Sequence, residues 1–184
     1  TQKFPNDYRG WNNLGAYYYK NGQNSRAVQA FNKAAEVSSR AAEANMNLAL
    51  VSLADGNTAK AEQLLGNAAG ANSLGETMGL MYIQKGEYNR AVQSFGNTVS
   101  NNAALAQILT KNYSRAQQIL DAVPTKDATT YYLAAIVAAR TNSASGVAGN
   151  LKSAIQNGVS PAEIAKDIEF AKFLTNPDIK NMLF

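Results

Sequence analysis

A ten-residue pattern occurs twice in this chain of 184 residues. GQNSRAVQAF occupies residues 22–31, and GEYNRAVQSF occupies residues 86–95. Both copies open with glycine, carry Arg-Ala-Val-Gln in the middle and end in phenylalanine. A local pattern that recurs within one chain is typical of proteins built from repeated structural units. The residues around each copy therefore define the unit that repeats.

The first copy belongs to a predicted pair of helices. The segment before it places four residues on one helical face, at spacings of three, one and three: Trp11, Leu14, Gly15 and Tyr18. Gly22 then ends this helix, because glycine tolerates the left-handed conformation that follows a helix C-terminus. A second helix is predicted from about Asn24, with an apolar stripe made of Ala27, Val28, Phe31, Ala34 and Ala35.

Weaker versions of the same unit recur along the chain. They align on a small residue of the second helix, at Ala27, Ala61, Ala91, Ala116 and Val147. Helix–turn–helix units that recur with a period of roughly 34 residues are typical of helical solenoids. The interval from Ala91 to Ala116 is the shortest of the four and leaves too little chain for two full helices. We therefore expect a shortened first helix in the fourth unit.

The first unit resembles the tetratricopeptide repeat. The pattern W-x2-L-G-x2-Y followed by A-x3-F-x2-A is matched at Trp11, Leu14, Gly15, Tyr18, Ala27, Phe31 and Ala34. The resemblance implies an all-α fold: a right-handed superhelical α-solenoid of about five such helix pairs with a C-terminal helical cap. It predicts one domain over residues 1–184, with repeats at about 8–41, 42–71, 72–99, 100–124 and 128–158 and capping helices at 160–184.

The small residues of the pattern have a packing role. Two antiparallel helices approach closely only where the side chains between them are small, which accounts for Gly15 and Gly79. Phe31 and Phe95 are expected to fill the remaining space against the next helix pair. No unit can bury its apolar face alone, so stacking between neighbours is the predicted source of stability.

The last part of the chain departs from the repeat. Ser160–Pro161 is typical of a helix start, with serine as N-cap and proline at the first position. The following residues predict one helix with its apolar stripe at Ile164, Ile168, Ala171 and Phe173. Asn176–Pro177 opens a final short helix. This segment is the predicted polar cap of the solenoid.

Composition excludes several classes of chemistry. The chain has no histidine and no cysteine, which removes the usual neutral-pH general base, thiol catalysis and most transition-metal ligands. Its 17 basic and 13 acidic residues are scattered, whereas nucleic-acid binders concentrate cations on one face. Glu163 and Asp167, one turn apart, are interpreted as part of a solvated helix face. We therefore expect no enzyme activity, no cofactor, no metal, no nucleic-acid partner and no direct membrane insertion.

The resemblance implies a concave groove lined by the first helix of each pair. The predicted partner-binding residues come from the first three units: Arg9, Asn12, Asn13, Tyr19, Glu43, Met46, Asn47, Leu50, Glu76, Leu80 and Ile83. Leu53 and Thr77 are expected on the same surface. Such a mixture of apolar and amide groups suits a peptide or a partner protein, because asparagine can both donate to and accept from a backbone.

Chaperone-binding members of this family hold a C-terminal carboxylate with a clamp of lysine, arginine and asparagine side chains. Only Asn12 and Asn47 match that arrangement here. Ser73 and Thr77 occupy the positions where cationic side chains would be needed. We therefore expect no chaperone-tail carboxylate clamp in this chain.

The predicted function is a non-catalytic protein–protein interaction scaffold, as a module of a larger cell-envelope protein. The chain resembles repeat domains attached to outer-membrane-protein-A-like chains of Gram-negative bacteria, and its 21 asparagines and low charge are compatible with a periplasmic or envelope location. A cytoplasmic location is the alternative. The alternative function is a carbohydrate-binding envelope lipoprotein domain of the starch-utilisation type, which normally carries long insertions with several exposed aromatic residues.

Overall fold

The computed structural model describes residues 7–37, 41–69 and 74–184. All the regular secondary structure in these ranges is helical. The α-helices are α1 (Tyr8–Lys20), α2 (Asn24–Val37), α3 (Ala41–Ala54), α4 (Thr58–Gly66), α5 (Leu74–Gln84), α6 (Tyr88–Phe95), α7 (Asn101–Leu109), α8 (Tyr113–Ala122), α9 (Ala128–Arg140), α10 (Ala144–Gln156), α11 (Pro161–Ile164) and α12 (Pro177–Leu183). A 3-10 helix, Ile168–Phe173, lies between the last two.

The first ten helices form five antiparallel pairs, each joined by a tight turn. The glycine that opens each copy of the decamer is the left-handed residue of its turn, with φ of +71° at Gly22 and +74° at Gly86. The fourth and fifth turns place Lys111 and Asn142 at the equivalent position, with φ of 62° and 60°. The predicted helix pairing is therefore confirmed, and α7, with 9 residues, is the shortest first helix of the five pairs, as predicted.

A glycine and a phenylalanine set the separation of the helices in the first and third pairs. A Cβ atom added to Gly15 would lie 2.5 Å from the Phe31 ring, and one added to Gly79 would lie 2.5 Å from the Phe95 ring. Each ring thus packs on the glycine of its own pair, whereas the sequence predicts packing on the next pair. Phe31 does both, since it also belongs to a cluster with Leu48 and Val51 of α3.

The other pairs use a different combination of residues at the same two positions. The small residue of the first helix is alanine at 49, 104 and 135, and the large residue of the second helix is leucine at 65, 120 and 151. All six are buried. A pair therefore carries either glycine opposite phenylalanine or alanine opposite leucine, so that the summed side-chain volume stays similar.

The chain divides into two compact units, residues 1–96 and 97–184. The first unit contains α1–α6, with a buried cluster of Ala27, Phe31, Leu48 and Val51. The second contains α7–α12, and α9 and α10 contribute to a buried cluster with Ile164, Phe170 and Ile179. The single domain and the right-handed superhelical path inferred from the sequence stay predictions.

The C-terminal segment differs from the single helix predicted for it. The helix that starts at Pro161 ends at Ile164, and the chain then turns at Asp167, whose carboxylate accepts a hydrogen bond of 2.9 Å from the Glu169 backbone N–H. The 3-10 helix that follows brings every third residue to one face. Phe170 and Phe173 are consequently buried, while Ile168 is 85% exposed. The expected apolar stripe through Ile168 and Ala171 is therefore wrong.

Polar contacts with α9 hold this segment in place. The Tyr132 hydroxyl donates to the Asp167 carboxylate, and the Tyr132 ring meets the edge of Phe170 at a centroid distance of 5.6 Å. The Arg140 guanidinium donates to the Glu169 carboxylate. Burial, and then the hydrogen bond to Asp167, raise the pKa of Tyr132 above its ordinary value. The cap is thus fixed by both packing and charge-assisted hydrogen bonds.

The contact between Gly79 and Phe95 predicts a specific mutational pattern. Gly79→Ala should lower the unfolding free energy by about 1–3 kcal/mol through overpacking, although alanine favours a helix by about 1 kcal/mol. Adding Phe95→Leu recreates the combination found in the second, fourth and fifth pairs, so the double variant should recover most of the loss. Urea unfolding measures all three proteins. Gly149→Ala, in open space within α10, is the control and should stabilise; equal losses in the single and double variants would contradict the packing rule.

The raised pKa of Tyr132 predicts a dependence of stability on alkaline pH. The unfolded chain loses the tyrosine proton near pH of about 10, whereas the folded chain keeps it to higher pH. The contribution of this group is therefore complete below about pH 10 and is lost as the pH rises toward the folded-state pKa. Urea midpoints measured between about pH 8 and about pH 11 should fall less steeply for Tyr132→Phe than for wild type or Tyr131→Phe. If the urea midpoint fell equally with pH in all three proteins, Tyr132 would not contribute to the pH dependence of stability.

Candidate functional site

The predicted binding residues lie on three helices of the first unit. Helix α3 contacts both α1 and α5, so the first helices of three successive pairs are neighbours. Two polar contacts cross between them: Asn47 Nδ2 donates to Asn12 Oδ1 at 2.8 Å, and Gln84 Nε2 donates to the Leu53 backbone oxygen at 3.2 Å. The sequence pattern therefore brings the predicted residues onto adjacent helices.

The exposure of these residues is compatible with a binding surface. Arg9 and Asn13 are exposed, and the other nine are half-buried: Asn12, Tyr19, Glu43, Met46, Asn47, Leu50, Glu76, Leu80 and Ile83. Leu53 and Thr77, in contrast, are 4% and 3% exposed and belong to the interior. Their expected place in the groove is wrong, because α3 and α5 bury residues around more of their circumference than a single stripe. Ser73 lies outside the described residues.

The bonded asparagines form a compact polar group. Asn47 uses one amide N–H on Asn12 Oδ1, which leaves Asn47 Oδ1 as an acceptor and the Asn12 amide as a donor. A donor and an acceptor fixed side by side match the C=O and N–H groups of a peptide backbone. The bond also holds α1 against α3, so the pair combines a structural role with unused hydrogen-bonding capacity.

The charged residues among the predicted binding residues differ in whether they already form an ion pair. Arg9 forms two hydrogen bonds of 3.0 Å with the Asp7 carboxylate, and this contact raises the pKa of Arg9 and lowers that of Asp7. Glu43 and Glu76 each occupy the third position of their helix, where the positive end of the helix dipole favours a carboxylate. In the described part of the chain no lysine or arginine forms an ion pair with either glutamate.

Sequence reasoning misses a second concave surface. The repeat pattern assigns Trp11, Leu14 and Tyr18 to the interior. They are only half-buried and line an open cleft of about 440 Å³ on the first helix pair. Periodicity identifies the face of a helix that is apolar, but not whether another helix covers it.

Metal-binding clusters and membrane-spanning helices are both absent from the described residues. No group of three or more carboxylates in the described ranges is arranged to hold a metal ion. None of the described helices is both long and apolar enough to cross a membrane. Glu163 is exposed, as predicted for a solvated helix face. Asp167 lies beyond the end of α11 and is engaged by Tyr132 and by the Glu169 backbone N–H, so its place on that face is wrong.

Comparisons with known proteins agree with the fold. Residues 8–40 match the family model described as tetratricopeptide repeat. A crystal structure of a tetratricopeptide repeat protein from Parabacteroides merdae superposes with a TM-score of 0.64 at 18% identity, covering 90% of this chain and 70% of that one. A chain of the APC/C hetero-tetramer Cut9–Hcn1 superposes with a TM-score of 0.75 at 17% identity, covering 98% of this chain and 37% of that one.

These similarities concern the fold. The two structures confirm the predicted all-α solenoid of helix pairs, and the family match to the first pair supports the predicted tetratricopeptide resemblance. No curated protein matches the sequence significantly. The finer resemblance to outer-membrane-protein-A-like chains stays a prediction.

The Asn12–Asn47 bond predicts an energetic coupling between α1 and α3. Asn47→Ala should lower the unfolding free energy by about 1 kcal/mol, because it removes one half-buried hydrogen bond. Asn12→Ala should cost a similar amount, and the double variant should cost less than the sum of the two. Urea unfolding of the four proteins measures the coupling. Asn13→Ala, at an exposed position, should change stability little; strictly additive losses at Asn12 and Asn47 would refute the coupling.

Proposed function

We propose that the protein is a non-catalytic interaction scaffold that binds a peptide segment of a partner protein along α1, α3 and α5. One observation supports this most directly: the Asn12–Asn47 pair lies on adjacent helices that also carry the half-buried aliphatic residues Met46 and Leu50. Repeat solenoids of this type generally serve as protein–protein interaction scaffolds with an extended binding surface.

The recognition chemistry follows from these groups. The asparagine pair bonds a backbone C=O and N–H of the peptide, which fixes its position without demanding a particular side chain. Aliphatic residues on α3 and α5, namely Met46, Leu50, Leu80 and Ile83, bury apolar side chains of the peptide and supply most of the affinity. Glu43 and Glu76, at the starts of their helices, favour a basic residue at that end.

Two consequences separate this proposal from its alternatives. The groove has no cationic clamp among the residues assigned to it, apart from Arg9, which Asp7 already engages. Binding should therefore not depend on a free C-terminal carboxylate. The proposal assigns no catalytic step to these side chains, because they include no nucleophile with a neighbouring base.

The cellular context is part of the same proposal. The asparagine-rich, weakly charged composition favours a periplasmic or envelope location within a larger, outer-membrane-protein-A-like chain. Fractionation of the native cell with an antibody against the domain, beside a periplasmic and a cytoplasmic marker, tests this directly. Recovery with the cytoplasmic marker alone would exclude the envelope assignment.

The groove is tested with peptides selected from a phage-displayed random library on the wild-type protein. Leu50→Arg and Leu80→Glu should each weaken binding of the selected peptides by about 30-fold, the effect of removing a contact worth about 2 kcal/mol. Both residues are half-buried, so we expect the unfolding free energy to change by about 1 kcal/mol or less. Isothermal titration and urea unfolding measure the two effects.

Ile168→Arg is the matched control, because it places arginine at a highly exposed aliphatic position of the other unit. It should leave both affinity and stability unchanged. Amidation of the peptide C-terminus should also leave affinity unchanged. If Leu50→Arg unfolds the protein, or if it binds the peptides like wild type, the assignment of this surface fails.

A further inference from the structure

The open cleft on the first helix pair is a separate surface from the groove. Residues of α1 and α2 line it: Trp11, Leu14, Tyr18, Arg26, Gln29, Ala30 and Lys33. Its floor is apolar and aromatic, and its rim carries two cations. Each residue of an α-helix is rotated by about 100° from the one before it. Trp11, Leu14 and Tyr18 therefore face a direction well separated from that of Asn12 and Asn13.

The third helix pair repeats one tyrosine and one arginine of this cleft at equivalent positions, whereas Gly75 and Asn97 replace Trp11 and Lys33. Tyr82 corresponds to Tyr18, and Arg90 corresponds to Arg26. The Arg90 guanidinium lies 4.2 Å from the centre of the Tyr82 ring and donates a hydrogen bond of 2.7 Å to its hydroxyl. Tyr82 is only 6% exposed. The tyrosine of this aromatic–cation pair is thus buried in the third helix pair and half-buried in the first.

Helix α4, the second helix of the second pair, is a neighbour of the third pair. It packs against α5, and its Glu62 carboxylate lies 2.8 Å from the Lys85 ammonium. Arg90 itself is ion-paired with Glu87 at 2.6 Å, so the carboxylate of α4 bonds the lysine of the turn. A short helix that brings a carboxylate to a cation is therefore the element that packs on α5 elsewhere in the same unit.

In the first pair the aromatic–cation contact is looser, and Lys33, the second cation of the rim, is ion-paired with Glu36. Tyr18 is half-buried, and the Arg26 guanidinium lies 5.7 Å from its ring centre and donates to the Gln23 side chain. Within the described residues no carboxylate forms an ion pair with Arg26. Tryptophan, tyrosine and arginine grouped in one concave site are the residues that most often dominate protein interfaces.

We propose that this cleft docks an amphipathic α-helix of a partner protein, with small apolar residues facing Trp11 and Tyr18 and a carboxylate facing Arg26. The helix packs on α1 as α4 packs on α5. The site is independent of the peptide groove, because its residues lie on another face of α1 and include none of the groove residues.

The chain provides both a probe and a reporter for this site. The probe is a hydrocarbon-stapled peptide of residues 57–68, which is α4 with its flanking residues; the staple keeps so short a helix folded. The reporter is Trp11, the only tryptophan of the chain. Docking should shift the Trp11 emission maximum to shorter wavelength and protect it from acrylamide quenching.

Arg26→Glu should lower the affinity for the stapled peptide by about tenfold, as expected for loss of one charge-assisted contact. Arg26→Lys should lower the affinity less. A peptide with Glu62→Lys should instead bind the Arg26→Glu variant more tightly than the wild-type protein. Lys152→Glu makes the same charge change at an exposed position of α10 and should have no effect. Leu50→Arg should also titrate like wild type, so that failure of the groove and failure of the cleft are distinguishable.

Three results would overturn the proposal. A helical peptide that leaves the Trp11 emission and quenching unchanged would show that the cleft takes no helix. Equal binding by wild type and Arg26→Glu would remove the assigned carboxylate contact. A Trp11 shift that depends on protein concentration alone, with a doubled molar mass in light scattering, would assign the cleft to a second copy of the chain.

Discussion

The distance between the two helices of each pair depends on one small residue facing one large residue. In the first pair this is the Phe31 ring on the Gly15 backbone, and there is no room between them even for a methyl group. The same ring touches Leu48 and Val51 of the following helix. One side chain thus sets the spacing within its own pair and the contact to the next. Because stacking is the main source of stability in such repeats, this local fit governs how the first unit holds together.

The alternation between glycine with phenylalanine and alanine with leucine shows how the constraint is met with different residues. Where the first helix carries alanine instead of glycine, the second carries leucine instead of the larger phenylalanine, as at Ala104 and Leu120. Packing density is therefore conserved although the letters change. This explains why the repeat is obvious in two places and weak in the others. The summed volume of the two facing side chains recurs in every pair, whereas sequence similarity is high only between pairs that use the same two residues.

Much of the fold could be predicted from local residues, because turns and helix starts are local events. The asparagine–glycine turn, the short α7 and the Asn176–Pro177 helix start were all predictable in this way. The bend near Asp167 was not, because it depends on Tyr132, which lies far earlier in the chain. The predicted place of Leu53 and Thr77 in the groove was wrong for a related reason, because a helix with neighbours on several sides has more than one buried face. The groove residues were predictable as a set, and the open cleft was not.

The C-terminal segment and the first helix pair differ in how much apolar surface they leave in contact with water. At the C-terminal end, the segment from Pro161 onward buries Phe170, Ile179 and Leu183 and leaves its lysines, Glu163 and Asp178 exposed. Hydrogen bonds from Tyr132 and Arg140 to its other two carboxylates hold it in place. Solenoids require such polar outer faces for solubility. The first helix pair instead keeps Trp11 and Tyr18 partly in contact with water beside two cations. Exposed apolar area costs about 25 cal/mol per Å² relative to burial, so covering this surface is favourable. The same physical rule that stabilises the C-terminal cap thus supports the docking proposed for the cleft on the first helix pair.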